Sequence, residues 1–235
     1  MIAIVRWQVF PTILPLAVAM AGFGCNENPA PASPTAGAPS AISPSSKAPL
    51  VGPRIVGTIL VSSTGKAPAG GVVYLEDAPS RPGVATTATV DVNHKEFSPF
   101  IAVITTGGSV TFGNKDALTH HVFSPDVPGW DTGYLQKNDT ARRTFDSPGS
   151  FALLCNIHPE MLGYVLVVPS TYFGKMGADG QYVIANVPPG TYRATAWAPR
   201  MPTASQSVTV GMSGVVMANF TLNPAGGPLI ERGAP

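Results

Sequence analysis

The sequence predicts an all-β protein of many short strands. Three observations carry this. Glycine and proline each occur 25 times in 235 residues, a density of turn-forming chemistry that suits many short strands. Glu, Gln, Lys and Arg, the helix formers of exposed faces, are sparse. From Ile55 onward, short runs of β-branched and aromatic residues alternate with Gly/Pro clusters, as in Ile55–Val61, Val72–Glu76, Ser109–Phe112, Phe151–Leu154 and Gly163–Val168. Charged residues make up only 11% of the chain and the net charge is +1. With no basic stripe, nucleic acid is excluded as a partner.

Residues 1–24 read as an export signal. Arg6 supplies the positive start, and Val9 to Ala21 is an apolar run broken by Pro11 and Pro15. The run is too short and too interrupted for a membrane-spanning helix. Gly22-Phe23-Gly24-Cys25 follows, and this context resembles a bacterial lipoprotein signal. The resemblance implies that Cys25 is the lipidated first residue of the mature chain, held at a membrane in the periplasm or outer cell envelope. Gly22 stands where that pattern usually has Leu. Plain signal cleavage and an uncleaved anchor are the other readings of the same segment. Residues 25–54 carry Pro29, Pro31, Pro34, Pro39, Pro44, Pro49 and Pro53 among Ala and Ser, a composition that builds no core. Such a linker reaches roughly 80 Å as polyproline and about 30 Å as coil. It serves as a tether or as a passive spacer.

Residues 55–85 begin the folded part with two strand-like runs around a Gly65–Gly71 turn region. Gly57-Thr58-Ile59 followed by Gly65-Lys66-Ala67-Pro68-Ala69-Gly70-Gly71-Val72-Val73-Tyr74-Leu75 resembles the opening of the carboxypeptidase regulatory-like, or transthyretin-like, β-sandwich. The rest of that pattern stands in residues 170–223, where Asp179-Gly180, Tyr182–Ala185, Pro188-Pro189-Gly190 and Tyr192–Trp197 follow in the usual order. Ser207–Val210 and Val215–Leu222 read as further strands, and residues 224–235 as a frayed tail. Residues 86–169 therefore interrupt this sandwich or pack beside it. Met201, Met212 and Met217 lack dense Met-x-Met spacing and read as core or turn filling.

Within 86–169, Thr87–Val92 suits an edge strand. Phe97–Val103 reads as the next strand, then the Gly107-Gly108 turn and Ser109–Phe112. Trp130 to Phe145 reads as a connecting region. Phe151–Leu154 is a strand with Cys155 at its end, and Gly163–Val168 resumes as strand. Between them, Cys155-Asn156-Ile157-His158-Pro159-Glu160-Met161 offers a thiolate, an imidazole and a thioether within one short loop held by sheet at both ends. His120 and His121 supply a further imidazole, and neighbours on an extended segment point to opposite sides, so one of them faces the loop. Two imidazoles, a thiolate and a weak thioether are the donor set of a type-1 copper centre. The chain has two cysteines. If Cys25 is acylated, Cys155 has no disulfide partner, and metal ligation removes the liability of a free thiol in an oxidising compartment.

The order His … Cys-x2-His-x2-Met resembles the cupredoxins, and the two-residue gap between His158 and Met161 looks like amicyanin more than plastocyanin. The resemblance implies a Greek-key β-sandwich and one copper ion held by His120, Cys155, His158 and Met161. It selects His120 because the ligand is followed by an Asn and an apolar strand residue in those proteins. His121 takes the Asn position, a departure that questions the brace this Asn gives near the thiolate. Asn114 is read as a supporting residue whose amide ties the two ligand loops together.

Catalytic copper centres need further histidines, and besides the ligands only His94 and His121 remain. No His-Glu-x-x-His, Gly-x-Ser-x-Gly or Walker loop is present. The expectation is an exported electron carrier, not an enzyme, serving a cytochrome, dehydrogenase or oxidase as redox partner and held to the membrane through Cys25. Pro125, Pro128, Pro159 and Leu162 are expected to form an apolar docking rim. Copper delivery without electron transfer, and a scaffold or adhesion module without metal, are the competing readings.

Overall fold

The computed structural model describes residues 52–79 and 86–224. The export signal, Cys25, the linker up to residue 51 and the tail from 225 lie outside these. Among the described residues there are seventeen strands and no helix.

The chain enters through β1 (Arg54–Val61) and β2 (Val72–Leu75). Nine strands follow: β3 (Thr87–Asn93), β4 (Glu96–Ser98), β5 (Ile101–Thr105), β6 (Gly108–Asn114), β7 (Val122–Ser124), β8 (Trp130–Asp131), β9 (Thr140–Phe145), β10 (Gly149–Cys155) and β11 (Leu162–Val168). Six more close the chain: β12 (Phe173–Lys175), β13 (Gln181–Ala185), β14 (Gly190–Trp197), β15 (Ala204–Val210), β16 (Val215–Met217) and β17 (Phe220–Leu222). β1 pairs with β13, β16 and β17, and β2 pairs with β12 and β14, with β15 beyond. These two sheets form a flanking sandwich. β3 to β11 make the other two sheets, β4-β3-β6-β9 and β5-β11-β10-β7-β8, which form a central sandwich.

Side-chain alternation along the strands stacks the four sheets as four layers with three apolar cores. In β2, Val73 and Leu75 enter the core of the flanking sandwich, while Val72 and Tyr74 point the other way. In β11, Val165 and Val167 enter the core of the central sandwich; Leu162, Tyr164, Leu166 and Val168 point outward. The outward residues meet Val72, Tyr74, Phe173 and Trp197 in a third cluster between the sandwiches. Tyr164 is its hub, with its ring edge-on to Trp197 at 5.7 Å and to Phe100 at 5.6 Å. Lys175 Nζ donates to the Ile101 carbonyl across the same seam at 3.3 Å. The unbroken apolar run Tyr164–Val168 thus reflects burial on both faces.

Four local expectations are corrected. Thr87–Val92 is not an edge: β3 lies between β4 and β6, and Val90 and Val92 are fully buried. Phe97–Val103 is not one strand. It breaks at Pro99-Phe100, and the halves belong to opposite sheets, because a proline lacks the N–H a continuous ladder needs. The region from Trp130 to Phe145 contains β8 and β9, and β9 pairs with β6 over six residues. Val215–Leu222 splits into β16 and β17, both parallel to β1. At the split, the Ala218 carbonyl turns inward to accept the buried Tyr182 hydroxyl at 2.6 Å. Met212 and Met217 are exposed, while Met201 packs on the flanking core.

Candidate metal centre

β6 ends at Asn114, and the loop to residue 121 returns the chain to β7, whose Val122 pairs with Cys155 on β10. This register brings the His120 loop beside the loop that runs from Cys155 to Met161. Cys155 Sγ lies 3.7 Å from Nδ1 of His120 and 3.7 Å from Nδ1 of His158, and the two Nδ1 atoms are 3.2 Å apart. A point equidistant from these three atoms sits roughly 2 Å from each, within the ~2.0–2.3 Å that imidazole nitrogen and thiolate bonds to zinc, another late first-row metal, span. Among the described residues this trio is the cluster of His, Cys, Asp and Glu side chains placed to hold a metal ion. The donor set fits copper: Met161, a thioether, is 2% exposed and shares the apolar cluster of Cys155.

His120 is fully buried and Cys155 nearly so, while His158 is half-buried at the surface. The far side of His120 is tied to Asp116, whose Oδ2 accepts Nε2–H at 2.9 Å. A carboxylate only accepts, so Nε2 carries the proton and Nδ1 keeps its lone pair for a metal. Burial lowers the His120 pKa, the nearby His158 adds to this, and Asp116 opposes it. Burial would raise the Asp116 carboxyl, but hydrogen bonds from the Lys95 and His94 backbone and from His120 outweigh it and hold the pKa below the ordinary carboxylate value. Those backbone N–H groups, at 2.9 and 2.6 Å, belong to the β3–β4 turn, where His94 and Lys95 both adopt positive φ. Asp116 was missed from sequence because its partners lie in a turn some twenty residues away; the signal available was an acidic residue four positions before the histidine.

Asn114 is fully buried, but its bonds differ from the expectation. Nδ2 donates to the Leu118 and Leu135 carbonyls at 2.7 and 2.9 Å, and Oδ1 accepts from the Asp116 N–H at 2.8 Å. It braces the His120 loop against Leu135 and does not span to the cysteine loop. The inter-loop tie comes from backbone: Asn156 N–H donates to the His121 carbonyl at 3.0 Å. The His121 ring turns toward Asp131, with Nε2 3.4 Å from Oδ1, and toward Tyr134. Leu162 is not on a surface rim but packs into the cluster between the sandwiches. Ile157, next to His158 in the chain, and Leu118, two residues before His120, are exposed at 42% and 47%.

Comparison with known proteins finds a curated relative, amicyanin-alpha of Methylorubrum extorquens, 30% identical over 110 residues that cover 45% of this chain and 88% of that protein. Among solved structures, a purple cupredoxin from Nitrosopumilus maritimus matches at 27% identity and a TM-score of 0.32, covering 34% of this chain and 98% of that one. A copper-containing nitrite reductase from Thermus scotoductus matches at 25% identity and a TM-score of 0.34, covering 48% of this chain and 28% of that one. Residues 170–216 match a family profile described as polysaccharide lyase family 4, domain II.

Proposed function

The chain belongs to the cupredoxin family, and on that premise we propose that it is an exported type-1 copper protein that carries single electrons between redox partners in the cell envelope. The observation that carries this reading is the triangle of Cys155 Sγ, His120 Nδ1 and His158 Nδ1, with sides of 3.7, 3.7 and 3.2 Å, beside the apolar core that holds Cys155 and Met161. Copper bound there supplies a one-electron couple. His120 and Cys155 would hold the metal from the sheets, His158 would hold it nearest solvent, and Met161 would add a weak thioether donor that tunes the potential. Asp116 fixes the tautomer and orientation of His120.

In this reading the four protein ligands fill the coordination sphere, so no position is open to a substrate and the protein is not an enzyme. Electrons enter and leave by His158. A redox protein docks on the patch formed by Ile157, Leu118 and Pro159. Residues 86–169 form the copper domain, inserted in a second sandwich made of 55–85 and 170–223. Residues 1–24 direct export and Cys25 anchors the chain to a membrane through lipid.

The test is copper(II) loading of the protein beside Cys155→Ser. The expected result is an intense thiolate-to-copper charge-transfer band with narrow copper hyperfine splitting, both lost in the variant. Stoichiometric copper without that band would assign the protein to copper delivery. Absence of stoichiometric copper would leave a scaffold module.

A further inference from the structure

The ligand loop is fastened differently at its two ends. At the Cys155 end it continues β10, which is laddered to β11 on one side and β7 on the other, and the Asn156 N–H is bonded to the His121 carbonyl. At the Met161 end the loop has a backbone bond from the Met161 N–H to the His158 carbonyl at 3.1 Å and then becomes β11, whose Leu162 pairs with Leu154 of β10 and whose Tyr164 N–H donates to the Phe100 carbonyl at 2.8 Å, while Met161 itself lies outside the ladder. The next side chain, Leu162, points away from the copper core. Strand alternation places it in the cluster between the sandwiches, with Val72 and Trp197 contributed by the flanking one. Two residues on, Tyr164 points the same way and meets the Trp197 ring edge-on at 5.7 Å. Met161 and Leu162 are adjacent residues on opposite faces of one layer, the first in the central core and the second in the seam.

We propose that the flanking sandwich is a positioning element for Met161, acting through Trp197 on Leu162 and Tyr164. The inference rests on Met161 being the axial ligand. A thioether in that role makes a long, weak bond, so its distance is set by where the protein holds the methionine and not by the bond itself. Trp197 touches no proposed ligand; it closes the seam against the strand that leaves the loop. Removing its ring opens space on the outer face of β11, lets the first residues of that strand settle outward, and shifts Met161, which lies just outside the ladder, while Cys155 stays paired with Val122 of β7. Weaker axial donation stabilises the oxidised state less, so the midpoint potential rises.

The experiment compares wild type, Trp197→Ala, Trp197→Phe and Val208→Ala as full-length proteins. Val208 lies in the core of the flanking sandwich and not in the seam, so its truncation destabilises that sandwich without touching β11. Copper-loaded samples are read by midpoint potential and EPR rhombicity, and metal-free samples by hydrogen exchange at the Met161 amide. The expected result is a raised potential, altered rhombicity and at least tenfold faster Met161 exchange in Trp197→Ala. Trp197→Phe should recover most of the wild-type behaviour, and Val208→Ala should match wild type at the Met161 amide. Should Trp197→Ala fail to fold, Trp197→Leu, which keeps the seam apolar, replaces it. Wild-type potential, spectrum and exchange in the seam variant would overturn the inference, and so would equal changes in the seam and core variants. A wild-type protein without a type-1 spectrum would instead overturn the copper reading, with the metal-free exchange still deciding whether the seam holds the loop.

Discussion

Replacing Asp116 with alanine tests the copper reading at a residue that is not a ligand. Asp116 accepts three hydrogen bonds, from His120 Nε2 at 2.9 Å and from the backbone N–H groups of His94 and Lys95 at 2.6 and 2.9 Å. The two backbone donors lie in an exposed turn, where water takes over. The His120 ring is fully buried, so its Nε2–H is left without an acceptor, at a cost of about 1–3 kcal/mol. Its tautomer is also freed, so Nδ1 carries the proton part of the time and must release it to bind metal. Loss of such a supporting carboxylate typically costs 10–100-fold in metal affinity, or about 1.4–2.7 kcal/mol, which overlaps the hydrogen-bond figure. Asp116→Asn retains a neutral acceptor, and because charge-assisted bonds are roughly twice as strong as neutral ones, it should fall between wild type and alanine. Competition of the metal-free protein against a chelator of known copper affinity measures the effect, with urea unfolding of the same samples to separate site from stability. Copper affinity within twofold of wild type, with an unchanged spectrum, would refute the argument that the β3–β4 turn and Asp116 orient His120.

Two further outcomes follow from the packing of the flanking sandwich. A Cβ added at Gly57 would run into the Ala218 carbonyl oxygen and lie 2.6 Å from its carbon; Gly57→Ala should therefore displace the crossing between β16 and β17, break the Tyr182 bond and destabilise the fold by roughly 2–5 kcal/mol in urea denaturation. The Tyr182 phenol is raised above its ordinary value of 10.0 by burial. The unfolded chain therefore loses this proton first, and the group's contribution is fully present below pH 10 and falls as the pH rises, by up to about 1.4 kcal/mol per unit. Stability measured from pH 9 to 11.5 should show that slope reduced in Tyr182→Phe.

The candidate site was legible because its chemistry is local: Cys155, His158 and Met161 sit in one loop between two recognisable strands, and His120 follows a third. That only one of His120 and His121 faces the loop was also legible, since neighbouring residues on an extended chain cannot both face one point; the choice of His120 came from the family resemblance. What the sequence did not reveal is held by long-range contact. Asp116 reads as one more acidic loop residue until the turn at His94-Lys95 presents two amides to it. Leu162 reads as a surface residue when it is taken with the metal loop before it and not with the strand it begins, whose outer face a second sandwich covers. The unbroken run Tyr164-Val165-Leu166-Val167-Val168 did carry that information, since a strand with one wet face would alternate. Asn114 was assigned a tie between the two loops, whereas its amide bonds the Leu118 and Leu135 carbonyls, backbone groups without a sequence signature.

The way the central sandwich is joined to the flanking one has a mechanical consequence. The chain leaves β2 at Leu75 and comes back to the same strand at β12, where Phe173 pairs with Tyr74. The two connections are pinned together there, by the Ser170 hydroxyl on the Leu75 carbonyl at 2.6 Å and the Leu75 N–H on the Tyr172 carbonyl at 3.0 Å. A pull applied between residue 52 and residue 224 therefore runs through β1 and its parallel neighbours β16 and β17, loaded in shear. The strands β3 to β11 lie off that load path. Tension reaching the chain from its amino-terminal side would have to tear the flanking sandwich open before it stretched the triangle of Cys155, His120 and His158.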